Sequence, residues 1–159
     1  MNLIQKGINT SNCVAAISND NMLMGLAGFH LNKSSFINIS FHSMIKLFGF
    51  IKGSIKYVQM SVIFYRNPDH KKQMLMDGIA VGETNRGKGI GRLLFAELEQ
   101  FAKTNNITSI KLDVIDENPR AKKLYESIGF SPSKYTKVPR CISKIIGVSV
   151  VTSMIKNIK

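Results

Sequence analysis

A chain of 159 residues, 44% of them hydrophobic, is long enough to bury a core without disulfide or metal support, so one domain spanning 1–159 is the simplest expectation. The two cysteines, Cys13 and Cys141, show no CxxC spacing, and His30, His42 and His70 cluster neither with each other nor with the cysteines, which argues against a metal site and for a reducing compartment. The net charge of +12 sits on the flanks, with +5 over 1–68, +1 over 69–126 and +6 over 127–159; this suits an anionic cofactor or substrate, and no nucleic-acid-binding motif accompanies it.

In chain order, Met1–Asn12 has neither the charged and apolar regions of a secretion signal nor an Arg/Ser-rich amphipathic character, and a cytoplasmic location is the expectation. The apolar runs Cys13–Ile17 and Met22–Phe29 flank Ser18-Asn19-Asp20-Asn21, four residues that favour turns, and predict an antiparallel hairpin. From about Phe36 to Phe64, Phe41, Met44, Ile45, Phe48, Ile51, Ile55, Val58 and Val62 recur at helical steps and predict a helix covering the core or a cleft. Lys46, Lys52 and Lys56 interrupt that stripe, so it is no membrane span, although a basic amphipathic helix lying on a membrane surface is a further reading.

Met74–Val81 reads as a mostly apolar and therefore central strand, followed by a glycine-rich turn and a helix that runs to about Thr104 and is closed by Asn105-Asn106. Ser109–Ile115 is a second strand, and the succession strand, helix, strand implies parallel pairing across a right-handed crossover. Asn118-Pro119 supplies a helix cap with proline at the first helical position, and the short helix Arg120–Ile128 ends at Gly129. Phe130 begins a less regular tail in which Val148–Ile155 is the clear strand.

The turn Val81-Gly82-Glu83-Thr84-Asn85-Arg86-Gly87-Lys88-Gly89-Ile90-Gly91-Arg92 carries the chemistry. Glycines at alternate positions leave backbone amides uncovered at a helix N-terminus, where unpaired N–H groups and the helix dipole attract an anion. Gly82-x4-Gly87-Lys88 opens as a P-loop does, yet Gly89 stands where a Ser or Thr hydroxyl would hold magnesium. A dinucleotide fingerprint fits no better, because the spacing is GxGxG and no acidic residue follows at the required distance.

Arg86-x-x-Gly89-x-Gly91 after Ile79-Ala80-Val81 resembles the acyl-CoA pyrophosphate loop of the GNAT superfamily of N-acyltransferases. The second motif of that family follows in Leu112-x-Val114, Asn118, Ala121 and Leu124-Tyr125-Glu126-x-Ile128-Gly129-Phe130, so the resemblance covers residues 74–130 closely. It implies an α/β (α+β) fold in which a central mixed sheet is flanked by helices and two parallel strands, here 74–81 and 109–115, splay apart to admit the pantetheine arm. It implies that Ile79, Ala80 and Val81 bind the pantetheine and thioester through their backbone, that Arg86, Gly87, Lys88, Gly89, Ile90, Gly91 and Arg92 bind the pyrophosphate, and that Asn118 touches CoA besides capping its helix.

By the same resemblance Tyr125 is the general acid for the departing thiolate, and Asp77 and Glu83 are the carboxylates to consider as base; Glu83 stands where many relatives carry proline. Relatives usually place a strand and two helices before the hairpin, where this chain has Met1–Asn12; either the N-terminus is abbreviated and the 36–64 helix supplies the cleft wall, or the chain is a truncated relative with impaired activity. The implied activity is acetyl or acyl transfer from acetyl-CoA to a primary amine in a ternary complex, without metal, nucleic acid or stable membrane insertion; homodimer formation is left open. Because residues 1–68 and 127–159 contain one acid, Asp20, the expected acceptor is an amine bearing a carboxylate or phosphate, or a protein amine in an acidic context, rather than a polyamine. A non-catalytic acyl-CoA-binding module is the alternative from another class.

Overall fold

The computed structural model describes residues 10–31, 34–36, 46, 49 and 68–159, so the helix expected over 36–64 lies almost wholly outside the described residues. Among the described residues seven strands form one mixed sheet: β1 (Cys13–Ile17), β2 (Leu23–Leu31), β3 (Ser34–Ser35), β4 (Gln73–Val81), β5 (Ser109–Ile115), β6 (Ser131–Lys137) and β7 (Val150–Asn157), in the order β1-β2-β4-β5-β7-β6 with β3 paired to β2. Among the described residues the helices α1 (Ile90–Thr104), α2 (Pro119–Ser127) and α3 (Arg140–Ile146) accompany them.

The expected hairpin is present, with Ser18 closing the turn by accepting from Asn21 N–H at 3.0 Å and donating its own N–H to Met22 at 2.9 Å. All pairings are antiparallel except β4 with β5, so two antiparallel arms meet at one parallel pair. That pair is short. Gln73, Met74 and Leu75 face Ser109, Ile110 and Lys111; beyond them β4 stays with β2 as far as Val81, β5 stays with β7 as far as Ile115, and the two strands part. A bulge marks the departure: Gly28 faces Gly78 and Phe29 faces Met76, leaving Asp77 as the extra residue on β4. Asp77 Oδ2 accepts from Ser35 Oγ at 2.6 Å and from Phe36 N–H at 2.9 Å, which pins the chain after β3 to the bulge.

α1 packs across β1, β2 and β4 with Leu94, Phe95, Leu98 and Ala102 buried, the one-sided stripe expected from its period. Its core partners are Phe29, Met74, Met76, Ile110, Leu112 and Met154, all alternate residues from the same face of the sheet. α2 lies over β5, where Tyr125 and Phe130 pack edge-on against Phe95 with ring centroids 5.6 and 5.5 Å away.

The tail corrects the sequence reading. Where an irregular segment was expected after Phe130, β6 and α3 occur, and the last strand starts at Val150 rather than Val148. β6 reads Ser-Pro-Ser-Lys-Tyr-Thr-Lys and is exposed along its whole length as an edge strand, so burial imposes no alternation on it. Pro132 sits at a register shift against β7, where its missing N–H is tolerated. Among the described residues no helix is long and apolar enough to cross a membrane.

Candidate active site

The end of β4 that has left β5 lines a cavity of about 810 Å³. Ile79, Ala80 and Val81 line it from the freed end of β4, Asn85 to Arg92 from the glycine turn and first helical residues, omitting Lys88, and Asn118, Arg120, Ala121 and Leu124 from α2. The turn is built by local hydrogen bonds. Gly82 N–H donates to Met24 C=O at 2.9 Å, keeping the strand end on β2, and Asn85 N–H returns to Gly82 C=O at 2.8 Å to close a 3₁₀ turn over Glu83–Asn85. Arg86 Nε donates back to Val81 C=O at 3.4 Å.

Gly87 and Gly89 then adopt left-handed backbone at φ +80° and +81°, which L side chains resist. A Cβ at either position would meet nothing within 4 Å, so both glycines also keep space clear at the cavity wall. Gly89 is the N-cap of α1 and offers no side chain to its amides, whereas the N-cap of α2, Asn118, accepts from Ala121 N–H at 3.1 Å through Oδ1. The uncapped start of α1 therefore presents orphan N–H groups and the positive end of the helix dipole. The lining contains Arg86, Arg92 and Arg120 and no carboxylate, a donor set that fits a polyphosphate.

Ten of the eleven residues expected to hold the donor line this cavity; Lys88 is exposed and does not. Asn85, Arg120, Ala121 and Leu124 line it without having been assigned to the site, although Ala121 and Leu124 belong to the α2 motif and Arg120 stands beside the recognised cap. The three residues expected to move protons stand apart from the lining. Asp77 is engaged at the bulge, and Glu83 is exposed on the 3₁₀ turn.

Tyr125 follows the lining residue Leu124 on α2 and is buried between Phe95 and Phe130. Burial pushes its hydroxyl above the usual phenol value, and among the described residues that hydroxyl has no hydrogen-bond partner. Among the described residues no group of three or more His, Cys, Asp or Glu could hold a metal ion.

A mixed sheet with a split parallel pair, a glycine turn at one end of the split and an uncapped helix start defines an α/β domain with an anion-receiving helix N-terminus. Sequence comparison makes this specific: the Acetyltransferase (GNAT) family matches residues 8–130, and the chain belongs to that family. Two uncharacterized N-acetyltransferases of Bacillus subtilis (strain 168) are similar to it, YobR at 42% identity over 57 residues and YycN at 34% over 67. Those stretches are 36% and 42% of this chain but only 23% and 43% of the relatives, so the likeness spans less than half of either.

Among solved structures, a Bacillus anthracis (strain Ames) protein assigned as a streptothricin acetyltransferase, in complex with acetyl coenzyme A, superposes with a TM-score of 0.63 at 18% identity, over all of this chain and 70% of that one. The ribosomal-protein-S18-alanine N-acetyltransferase of Escherichia coli does so at 0.58 and 15%, over 95% and 72%. At these identities the structures share the fold.

Proposed function

We propose that this chain, as one domain over 1–159, transfers an acetyl or related acyl group from acyl-CoA to a primary amine in a ternary complex. The observation that carries the reading is a cavity lined jointly by the end of β4 that has left β5, by the Gly87–Gly91 turn and by the start of α2. Bound there, acyl-CoA supplies an activated thioester. The amides at the start of α1, with Arg86 and Arg92, hold the pyrophosphate. Ile79, Ala80 and Val81 present backbone groups to the pantetheine arm, and a fixed N–H near Val81 stabilises negative charge on the acyl oxygen with no reorganisation as it develops. Asn118 fixes the start of α2, and α2 carries Tyr125, which donates its proton to the departing sulfur.

The raised pKa of Tyr125 keeps the phenol protonated through neutral and mildly alkaline pH, as this role requires. The acid is available below its folded pKa and lost above it, so turnover should rise with pH as the acceptor amine deprotonates and show no decline from Tyr125 below about pH 10. Asp77 serves the bulge through its two hydrogen bonds, which leaves exposed Glu83 as the carboxylate to consider as base. The exposed cations Lys134, Lys137, Arg140 and Lys144, with no acid from 127 to 159, support an acceptor carrying negative charge.

The test is release of CoA thiol from acetyl-CoA over a panel of amines, with donor binding measured separately. In Tyr125→Phe the turnover number should fall about 10²-fold while the acetyl-CoA Kd stays within about twofold, the size expected when a general acid is removed. Unchanged turnover would take Tyr125 out of the reaction. Tight binding of acetyl-CoA with no turnover on any amine would instead identify an acyl-CoA-binding module.

A further inference from the structure

The three arginines of the cavity are not equivalent. Arg86 is tethered through Nε to Val81 C=O, and Arg92 Nη2 donates to Ser127 Oγ at 3.4 Å. Arg120 lines the same cavity from the opposite wall, is exposed, and among the described residues makes no hydrogen bond or ion pair. Its place in the helix gives it no structural reason to be cationic. It lies in the first turn of α2, where the helix dipole favours acids; that turn has none, and Lys122 and Lys123 follow after Ala121. A guanidinium that opposes its own helix dipole and faces a cavity without a carboxylate is accounted for by an anion brought by the ligand.

The proposed donor carries more charge than the glycine turn can match. A pyrophosphate bridges two singly charged phosphates, and the amides of α1 with two tethered arginines face it. Coenzyme A has in addition a phosphomonoester on its ribose, with a charge near −2 at neutral pH. We infer that Arg120 recognises this 3′-phosphate and sets a preference for CoA over its dephosphorylated form. The inference rests on the acyl-CoA reading of the cavity and adds to it a residue that selects among donors.

The experiment is calorimetric titration of the full chain with acetyl-CoA and with 3′-dephospho-acetyl-CoA, for the wild type, Arg120→Gln and Arg120→Lys, with circular dichroism to verify folding. The wild type should prefer acetyl-CoA by about tenfold, the size of one charge-assisted contact at a solvent-accessible phosphate. Arg120→Gln should weaken acetyl-CoA by about the same factor and leave the dephosphorylated ligand within about twofold, so the preference collapses; Arg120→Lys should keep part of it. Equal weakening of both ligands would move Arg120 to the pyrophosphate and overturn the inference, as would no weakening of either. Wild-type binding to both ligands with equal affinity overturns it while sparing the acyl-CoA reading. Failure of the wild type to bind either ligand removes the acyl-CoA reading itself, and the inference with it.

Discussion

Gln73, Met74 and Leu75 at the start of β4 are buried and paired in parallel to β5, whereas from Asp77 to Val81 the same strand alternates between half-buried and exposed and leaves β5 for the cavity. Both halves keep their antiparallel partner β2, so the difference lies on one side alone. In the closed half the backbone groups toward β5 are spent on the ladder, and the side chains belong to the core. In the open half the same kinds of backbone group face the cavity, and the glycine turn follows without a break. A sheet that stayed paired to Val81 would be more regular and would have no room for the pantetheine arm of the proposed donor. The closed half should therefore govern stability and the open end affinity, and substitutions in each can separate the two.

The largest expected effect is in the closed half. Met74 has no solvent exposure and packs in the core beneath α1, so Met74→Ala should cost about 2–5 kcal/mol of unfolding free energy through lost burial and the cavity it leaves. In denaturant titrations the midpoint should fall strongly, while the folded variant keeps its acetyl-CoA Kd within about twofold. A large loss of affinity in the folded variant would break the division between halves.

The open end should respond in the opposite sense. Gly89→Ala places a Cβ on a residue at φ +81°, a strain of about 1–2 kcal/mol, with no neighbouring atom within 4 Å to clash against. Stability should drop by no more than that strain. Acetyl-CoA affinity should drop about tenfold or more, because the turn would relax away from the left-handed conformation that aims the α1 amides into the cavity. Measured side by side with Met74→Ala, unchanged affinity in Gly89→Ala would show that the turn does not hold the donor.

How far this division could be read from the amino acids depends on the range of the interactions involved. The start of α2 was legible because Asn118-Pro119 is a local device, and the structure shows Asn118 accepting from Ala121 N–H as such a cap does. The glycine turn was legible for the same reason: Gly87 and Gly89 are needed by their own φ angles. The parting of the strands came through family resemblance alone, since composition marks 74–81 and 109–115 merely as apolar strands. The bulge that accompanies the parting is written in two residues distant in sequence, Gly28 and Gly78, which face each other across β2 and β4. β6 was illegible because an exposed edge strand needs no apolar period. Arg120 stood in the sequence only as the start of a short helix, although a cation in that first turn is the signal that could have drawn notice.

The smallest effect sharpens the boundary of the closed half. Lys111, the last β5 residue paired with β4, donates through Nζ to both Asp69 carboxylate oxygens at 2.9 Å, tying β5 to the segment that leads into β4. The hydrogen bond from Lys111 holds the Asp69 carboxyl below its ordinary value of 3.8. With the folded pKa below the unfolded one, the pair's contribution is present above about pH 4 and is lost as pH falls through the folded pKa. The Asp69 side chain is 54% exposed, so screening limits the contribution to about 1 kcal/mol or less. Asp69→Asn should therefore lower stability by that amount at pH 7, and the difference from wild type should shrink as pH falls below about 4 through the folded pKa. Unfolding titrations across pH 2.5–7 would read it, and acetyl-CoA affinity at pH 7 should not change. A gap that persists at the acid end would mean that Asp69 acts through something other than its charge, and not through the bond from its backbone N–H to Gln73 Oε1 at 2.8 Å, which the variant keeps.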